Sequence, residues 1–379
     1  MTDRMADGQG SGRRPIARKF RPTFASVIAF LGLTAALAIS ACSTTGGNYA
    51  PPDRVYVTKA QMQAPYAIAA GTDGNIWFSQ YENNNLSRFT PAAVLTTFPL
   101  TGDDSFPERL TAGPDGAIWF TDTIGNRIGR LAPDGSATYF PMLADRSGPD
   151  GITAGQDGNI WFTEHAADRI ARIDSAGQII EYALPQPDSG PAEIIAGDDG
   201  YLWFSEDYGN RIGRITTFGE IKEYAIPTPH SRPGGLAWGS DGAIWFAELA
   251  TDRVGRLTPD GGVSEYALPV AGVPLGIAAG SDGNIWMTLG KKHAFCSAAA
   301  DGTIDCFTAG VDCFPGFITA GPEDSLWFTE PNGRIGRLMP PTSLTEYTLP
   351  DPDERITQPL KADSTLTRIV PQSAAQPAP

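Results

Sequence analysis

Tryptophan recurs at positions 77, 119, 161, 203, 245, 286 and 327, at intervals of 42, 42, 42, 42, 41 and 41 residues. A proline stands twelve residues before each one, at 65, 107, 149, 191, 233, 274 and 315. Asp-Gly precedes the Trp in six copies, as in Asp73-Gly74 and Asp157-Gly158, and Asp324-Ser325 takes its place in the seventh. A fixed period of this length marks a repeat architecture and constrains the fold more than any other feature of the chain. In the fullest copy an apolar run at Gly151–Ala154 is followed by Ile160-Trp161-Phe162-Thr163-Glu164, then Arg169 to Ile173, then Ile180 to Pro185. That is four short strands, A to D. Asp-Gly between apolar runs predicts a tight type I′ hairpin, which needs positive φ at both central residues. Proline lacks a ladder donor and suits the entry of strand A. Strand B is apolar on consecutive residues, so both of its faces should be buried. Four-stranded units of about 42 residues that need a neighbour on each side describe a β-propeller. The expected fold is all-β, a propeller of seven blades with four antiparallel strands each.

Composition fits this reading. The 43 Gly and 32 Pro in 379 residues are more than an average domain carries, and repeated turns and strand entries account for much of the excess. At 41% hydrophobic the chain can bury a large core. The net charge of −15 excludes nucleic acid as a partner, because a phosphate backbone is bound through clustered Lys and Arg.

Residues 1–23 hold six Lys or Arg against two Asp, and an uncharged apolar run follows from Phe24 to Ala41. The run ends in Ile39-Ser40-Ala41-Cys42, which resembles a bacterial lipobox. A basic segment, an apolar segment and small residues at a cleavage site describe a signal peptide; the alternative is an uncleaved anchor. The expected organisation is a lipoprotein signal peptide at 1–41, lipidation at Cys42, a tether at 42–52, the propeller at 53–350 and a disordered Pro-rich tail at 351–379. Removing residues 1–41 leaves 22 basic against 41 acidic residues, a net charge of −19. An exported, membrane-anchored monomer follows, facing the periplasm or the cell surface. To close the ring, the segment Val55–Val57 is expected to join the last blade, which also has its own candidate strand D at Leu344–Leu349.

Features shared by the blades serve architecture, so function is sought where copies depart from the template. Three residues after each Trp stand Gln80, Asp122, Glu164, Glu206, Glu248, Leu289 and Glu330. The five acidic blades all carry an Arg pair on strand C, Arg127/Arg130, Arg169/Arg172, Arg211/Arg214, Arg253/Arg256 and Arg334/Arg337. This favours carboxylate–Arg pairing over a ring of cation ligands, since buried charges need partners. The residue after the strand-A proline opens on the central channel and varies: Tyr66, Glu108, Asp150, Ala192, Gly234, Leu275 and Gly316. Arg109 and Glu193 follow in two blades, and the B–C loops add His165 and Asp207 to the same rim. Polar groups thus gather on blades 1 to 4. The candidate ligand-binding residues are Tyr66, Glu108, Arg109, Asp150, His165 and Asp207. Glu108, Asp150 and Asp207 are the candidates for holding a cation, Mg²⁺ or Ca²⁺, and the expected ligand is a small molecule or a cell-envelope protein. His165 is the one candidate general base, with a solvated loop histidine as the plainer alternative. The spacing of Cys296 and Cys306 about the Asp301-Gly302 turn sets them opposite each other on strands C and D. That allows a disulfide in an oxidising compartment; the rival is Cys306–Cys313, or three free thiols.

The repeated Asp-Gly-x-Ile-Trp-Phe-Thr-Glu, Asn-Arg-Ile-Gly-Arg and Glu-Tyr-x-Leu-Pro runs resemble the streptogramin lyases, the virginiamycin B lyase family, over residues 55–350. The resemblance implies a seven-bladed propeller. It also implies a Mg²⁺-assisted elimination that linearises a cyclic depsipeptide, with a His removing an α-proton. In that family the base follows the proline of the last blade, a metal-binding Glu lies four after that blade's Trp, and a second His follows the proline of the sixth. Here those positions hold Gly316, Pro331 and Leu275. Only Tyr66, in Pro65-Tyr66-Ala67, is similar to the family's first-blade Pro-Tyr-Gly. The fold is expected to carry over and the reaction is not.

Overall fold

The structure is a computed structural model, and it describes residues 64–80, 83–100, 105–308, 313–340, 343–350 and 360–369. The proposed signal peptide, Cys42, the tether and Val55–Val57 lie outside these residues. The seven blades begin their strands A at Ile68, Pro107, Pro149, Pro191, Pro233, Pro274 and Ile318. Each holds four antiparallel strands in sequence order, A to D, and the sheets of blades 6 and 7 gain a fifth strand from the C-terminal segment. All seven strands B are buried along their whole length, as consecutive apolar residues require.

In the six Asp-Gly blades the A–B turn differs from the expected type I′, whereas in blade 7 both central residues, Glu323 and Asp324, have positive φ. Gly74, Gly158 and their counterparts have positive φ, but the preceding Asp does not. Gly74 N–H donates to Gly71 O and Gly71 N–H to Asn75 O, a type I turn closed by a left-handed Gly. The negative φ at Asp lets its carboxylate accept from the residue two on and from the Trp indole: Asp157 Oδ1 lies 3.2 Å from Trp161 Nε1. In blade 7 Ser325 replaces that acceptor, 2.9 Å from Trp327 Nε1. The indole stacks on a strand-D aromatic in every blade, as Trp161 does on Tyr182 at 5.6 Å. The second Arg of strand C lies over the indole (Arg172, 5.8 Å) and pairs with the turn acid. The turn signal, the Trp and half of the Arg pairs therefore form one repeated block.

A hydroxyl two residues after the Trp joins neighbouring blades. Strand A carries a register shift after its proline, which frees an N–H. In blade 2 Arg109 N–H donates to Thr121 Oγ1 at 3.0 Å, and Thr121 donates to the Asp150 carbonyl of blade 3 at 2.9 Å. Thr163, in blade 3, repeats this with Gly151 N–H and Ala192 O. The ring closes the same way, through Thr329 Oγ1 to Tyr66 O at 2.7 Å. These latches fix the backbone of the residues that face the channel.

The C-terminal segment corrects a second expectation. Part of the stretch read as a disordered tail forms two strands. Leu360–Thr365 pairs with strand D of blade 7, and Thr367–Arg368 pairs with strand D of blade 6. Its alternation lets Leu366 bury between two otherwise open sheet edges, which composition alone did not show. Among the described residues, blade 7 is thus completed from the C-terminal side.

Candidate functional site

Latched backbones bring Glu108, Arg109, Asp150 and Glu193 together at the channel. Arg109 is the central element. Its Nε lies 3.5 Å from Asp150 Oδ1, its Nη1 lies 3.3 Å from Glu193 Oε2, and its guanidinium sits 4.0 Å over the Phe317 ring. A side chain from blade 2 thus touches blades 3, 4 and 7, with 8% of its surface exposed. Phe317 in turn meets Tyr66 edge-on at 5.0 Å. On one side of this bridge is a cavity of about 330 Å³, walled by strand-A residues such as Ile152, Ile194 and Ile277 and bounded by Arg109, Glu193 and Phe317. Tyr66, Glu108, Asp150, His165 and Asp207 do not line that cavity.

Glu108 is buried, and its Oε2 lies 2.5 Å from Thr123 Oγ1, which is also 2.6 Å from the Pro149 carbonyl. A hydroxyl has one proton, and a carbonyl can only accept. The Glu108 carboxyl and the Pro149 carbonyl therefore compete for the one proton of Thr123. Burial first, and the Asp150 charge second, push Glu108 up to about 7, against the hydrogen bond from Thr123. Burial likewise raises Asp150 and Glu193, while the Arg109 charge opposes the rise in both.

His165 is 6% exposed, so it is not a solvated loop residue. Its ring meets Tyr208 edge-on at 5.1 Å, and its Nε2 has no hydrogen-bond partner. Asp207 is held at both oxygens by Arg232, at 2.8 and 2.7 Å. Thr123 holds the rim position four residues after its Trp, the one shared by His165 and Asp207, but sequence reasoning did not place Arg232 in the site; it directly precedes a strand-A proline and has positive φ. Asp207 is taken by Arg232, Asp150 lies beside Arg109 and Glu108 accepts from Thr123, and among the described residues these three carboxylates are not drawn together as a set of cation ligands.

The strand-B acids are structural, with a refinement. Arg127 pairs with Asp122 at 2.7 Å and Arg211 with Glu206 at 2.8 Å. In blades 3 and 7 the first Arg turns instead to a strand-D acid, Arg169 to Glu181 and Arg334 to Glu346. Each such blade holds two carboxyls beside one guanidinium. Burial, with the second carboxylate adding to it, lifts Glu164 to about 7 and Glu330 to about 8. Cys296 and Cys306 are bonded to each other across strands C and D of blade 6, and Cys313 is a buried free thiol.

Seven blades around a polar, asymmetric channel mouth define a propeller of the streptogramin-lyase kind. The sequence profile of the virginiamycin B lyase family matches residues 53–273 and 183–362, and the chain belongs to this family. A streptogramin B lyase structure is 36% identical with a TM-score of 0.70, covering 74% of this chain and 94% of that one. Catalytically inactive virginiamycin B lyase from Staphylococcus aureus with quinupristin is 34% identical, also with a TM-score of 0.70, covering 74% and 97%. Kuenenia stuttgartiensis hydrazine synthase, at 13% identity and a TM-score of 0.60, over 79% of this chain and 99% of that one, shares the fold alone. No curated protein matches the chain.

Proposed function

We propose that this chain is a lipid-anchored, virginiamycin B lyase-like propeller of the cell envelope that binds a small molecule or an envelope protein and lacks the lyase active site. One observation carries the reading. Where the resemblance places the base, a metal-binding Glu and a second His, this chain has Gly316, Pro331 and Leu275. Gly316 packs its backbone against Thr329, and Leu275 fills the space over Gly290. None of the three can take a proton, and general-base catalysis needs an acceptor at the substrate. The same rim on blades 1 to 4 keeps Tyr66, Glu108, Arg109, Asp150 and His165, a recognition surface with charge on one side only. Incubating the protein with quinupristin and Mg²⁺ is expected to leave the cyclic ester intact by mass spectrometry, and robust linearisation would overturn the reading.

A second reading, a carbon–oxygen lyase or a lactone- or cyclic-ester-cleaving enzyme with a relocated site, is favoured by the buried, unpartnered Nε2 of His165, whose ring is close enough to Asp150 to act on its charge. It makes His165 the base and needs activity on a cyclic ester that disappears in His165→Ala.

A further inference from the structure

Two residues before the strand-A proline, blades 2 to 5 carry serine: Ser105, Ser147, Ser189 and Ser231. In blade 4 that hydroxyl accepts from Arg211 at 2.9 Å, beside Glu206. Blade 7 carries Cys313 there. The exchange of one atom turns a neutral hydroxyl into an ionisable, soft ligand. Cys313 Sγ, a Glu330 oxygen and a Glu346 oxygen lie within 4.8 Å of one another, contributed by a loop, strand B and strand D. We infer that Cys313, Glu330 and Glu346 form a binding site for a divalent transition ion of the Zn²⁺ type, separate from the channel mouth.

Three observations support the assignment. Glu330 is fully buried, its Oε2 is taken by Phe314 N–H at 3.0 Å, and its Oε1 has no hydrogen-bond partner. The charge count also differs from the template. Elsewhere two carboxyls sit beside one Arg, and a shared proton balances them; here a thiol is added while Arg334 remains the one guanidinium beside Glu346, at 3.6 Å. Three ionised ligands and one Arg leave a charge of −2, which a divalent ion neutralises. The donor set of one thiolate and two carboxylates suits Zn²⁺. Finally, the ligand loop is braced: His293 Nδ1 lies 2.7 Å from the Cys313 carbonyl, and its ring meets Phe314 at 4.3 Å, the kind of outer support that ligands of a metal site have. Glu346 is partly exposed and gives the ion a way in.

The test uses the full chain with its Cys296–Cys306 bond intact. Co²⁺ is expected to produce a thiolate charge-transfer band in the near ultraviolet, and Zn²⁺ to abolish it stoichiometrically and raise Tm by several degrees. Because binding displaces protons, affinity should rise with pH. Cys313→Ser restores the residue of four sibling blades and so should fold; it is expected to lose both the band and the Zn²⁺-dependent Tm rise. Glu346→Gln is expected to weaken Zn²⁺ by at least roughly tenfold. Absence of the band in the wild type, or an equal Tm rise in Cys313→Ser, would overturn the inference. Neither result bears on quinupristin turnover.

Discussion

Glu248 offers a measurement of what the paired carboxyls contribute. It is fully buried, its Oε2 accepts from Thr251 at 2.8 Å, and its Oε1 has no donor. Burial chiefly, and the Glu265 charge as well, lift it from 4.5 to about 7, against the pull of Thr251 and Arg253. An acid raised on folding binds its proton more tightly in the native state. Its stabilisation is therefore complete below about pH 4.5 and is lost as pH rises through about 7. The rise corresponds to about 3 kcal/mol at full strength, and screening by nearby solvent reduces this to about 1–2 kcal/mol. Glu248→Gln keeps an acceptor for Thr251 and adds an amide donor towards Glu265, so it mimics the protonated acid at every pH. Blade 1 already has this arrangement, with Gln80 accepting from Ser87 at 2.6 Å and no Arg pair on its strand C. Urea unfolding of both proteins at pH 5 and pH 8.5 is the assay. The wild type should lose about 1–2 kcal/mol more than the variant between the two, roughly 0.3–0.6 M in midpoint at an m-value of about 3 kcal/mol/M. Midpoints that fall in parallel would refute the protonated pair.

Thr329→Val removes the hydroxyl that serves both Phe317 N–H and the Tyr66 carbonyl at the ring closure; a loss of about 1–3 kcal/mol is expected in denaturant unfolding. Arg109→Leu leaves Asp150 and Glu193 buried without a cation and should cost about 3–5 kcal/mol at pH 8. The penalty should shrink at pH 5, where both carboxyls can take protons, and a pH-independent loss would contradict the bridge. Radiolabelled palmitate is expected to enter the wild type and not Cys42→Ser, as read by autoradiography of whole cells.

The architecture was legible because each blade states it again. Trp161, its turn acid Asp157, its stacking partner Tyr182 and the overlying Arg172 are contacts within one copy, so periodicity alone sets them side by side. What escaped was of two kinds. The turn type at Asp73-Gly74 depends on the Asp side chain reaching the indole four residues on, a bond that a dipeptide rule does not contain. The strand at 360–365 depends on an open edge at blade 7, which the local Pro and Gln composition hides.

The channel mouth was half legible for a related reason. The positions one and two after the strand-A proline put Glu108, Asp150 and Arg109 on one rim, and the ring, which brings equivalent positions of adjacent blades together, sets Arg109 Nε 3.5 Å from Asp150. It did not indicate that Arg109 would cross to Glu193 and Phe317, because reach across a channel depends on side-chain length and on gaps left opposite. Ala192, Gly234 and Gly316 carry the least side chain at the position after the strand-A proline, and of these only Gly316 stands where the resemblance places the base. Restoring a His at Gly316 should not by itself install the reaction: a Cβ there would meet Thr329 Oγ1 at 3.0 Å and the Thr329 carbonyl at 3.2 Å, so the latch residue would have to give way, and Pro331 and Leu275 still stand where the resemblance places the Glu and the second His. Gly316→His alone is therefore expected to leave quinupristin intact by mass spectrometry, and turnover by the single variant would refute this reasoning.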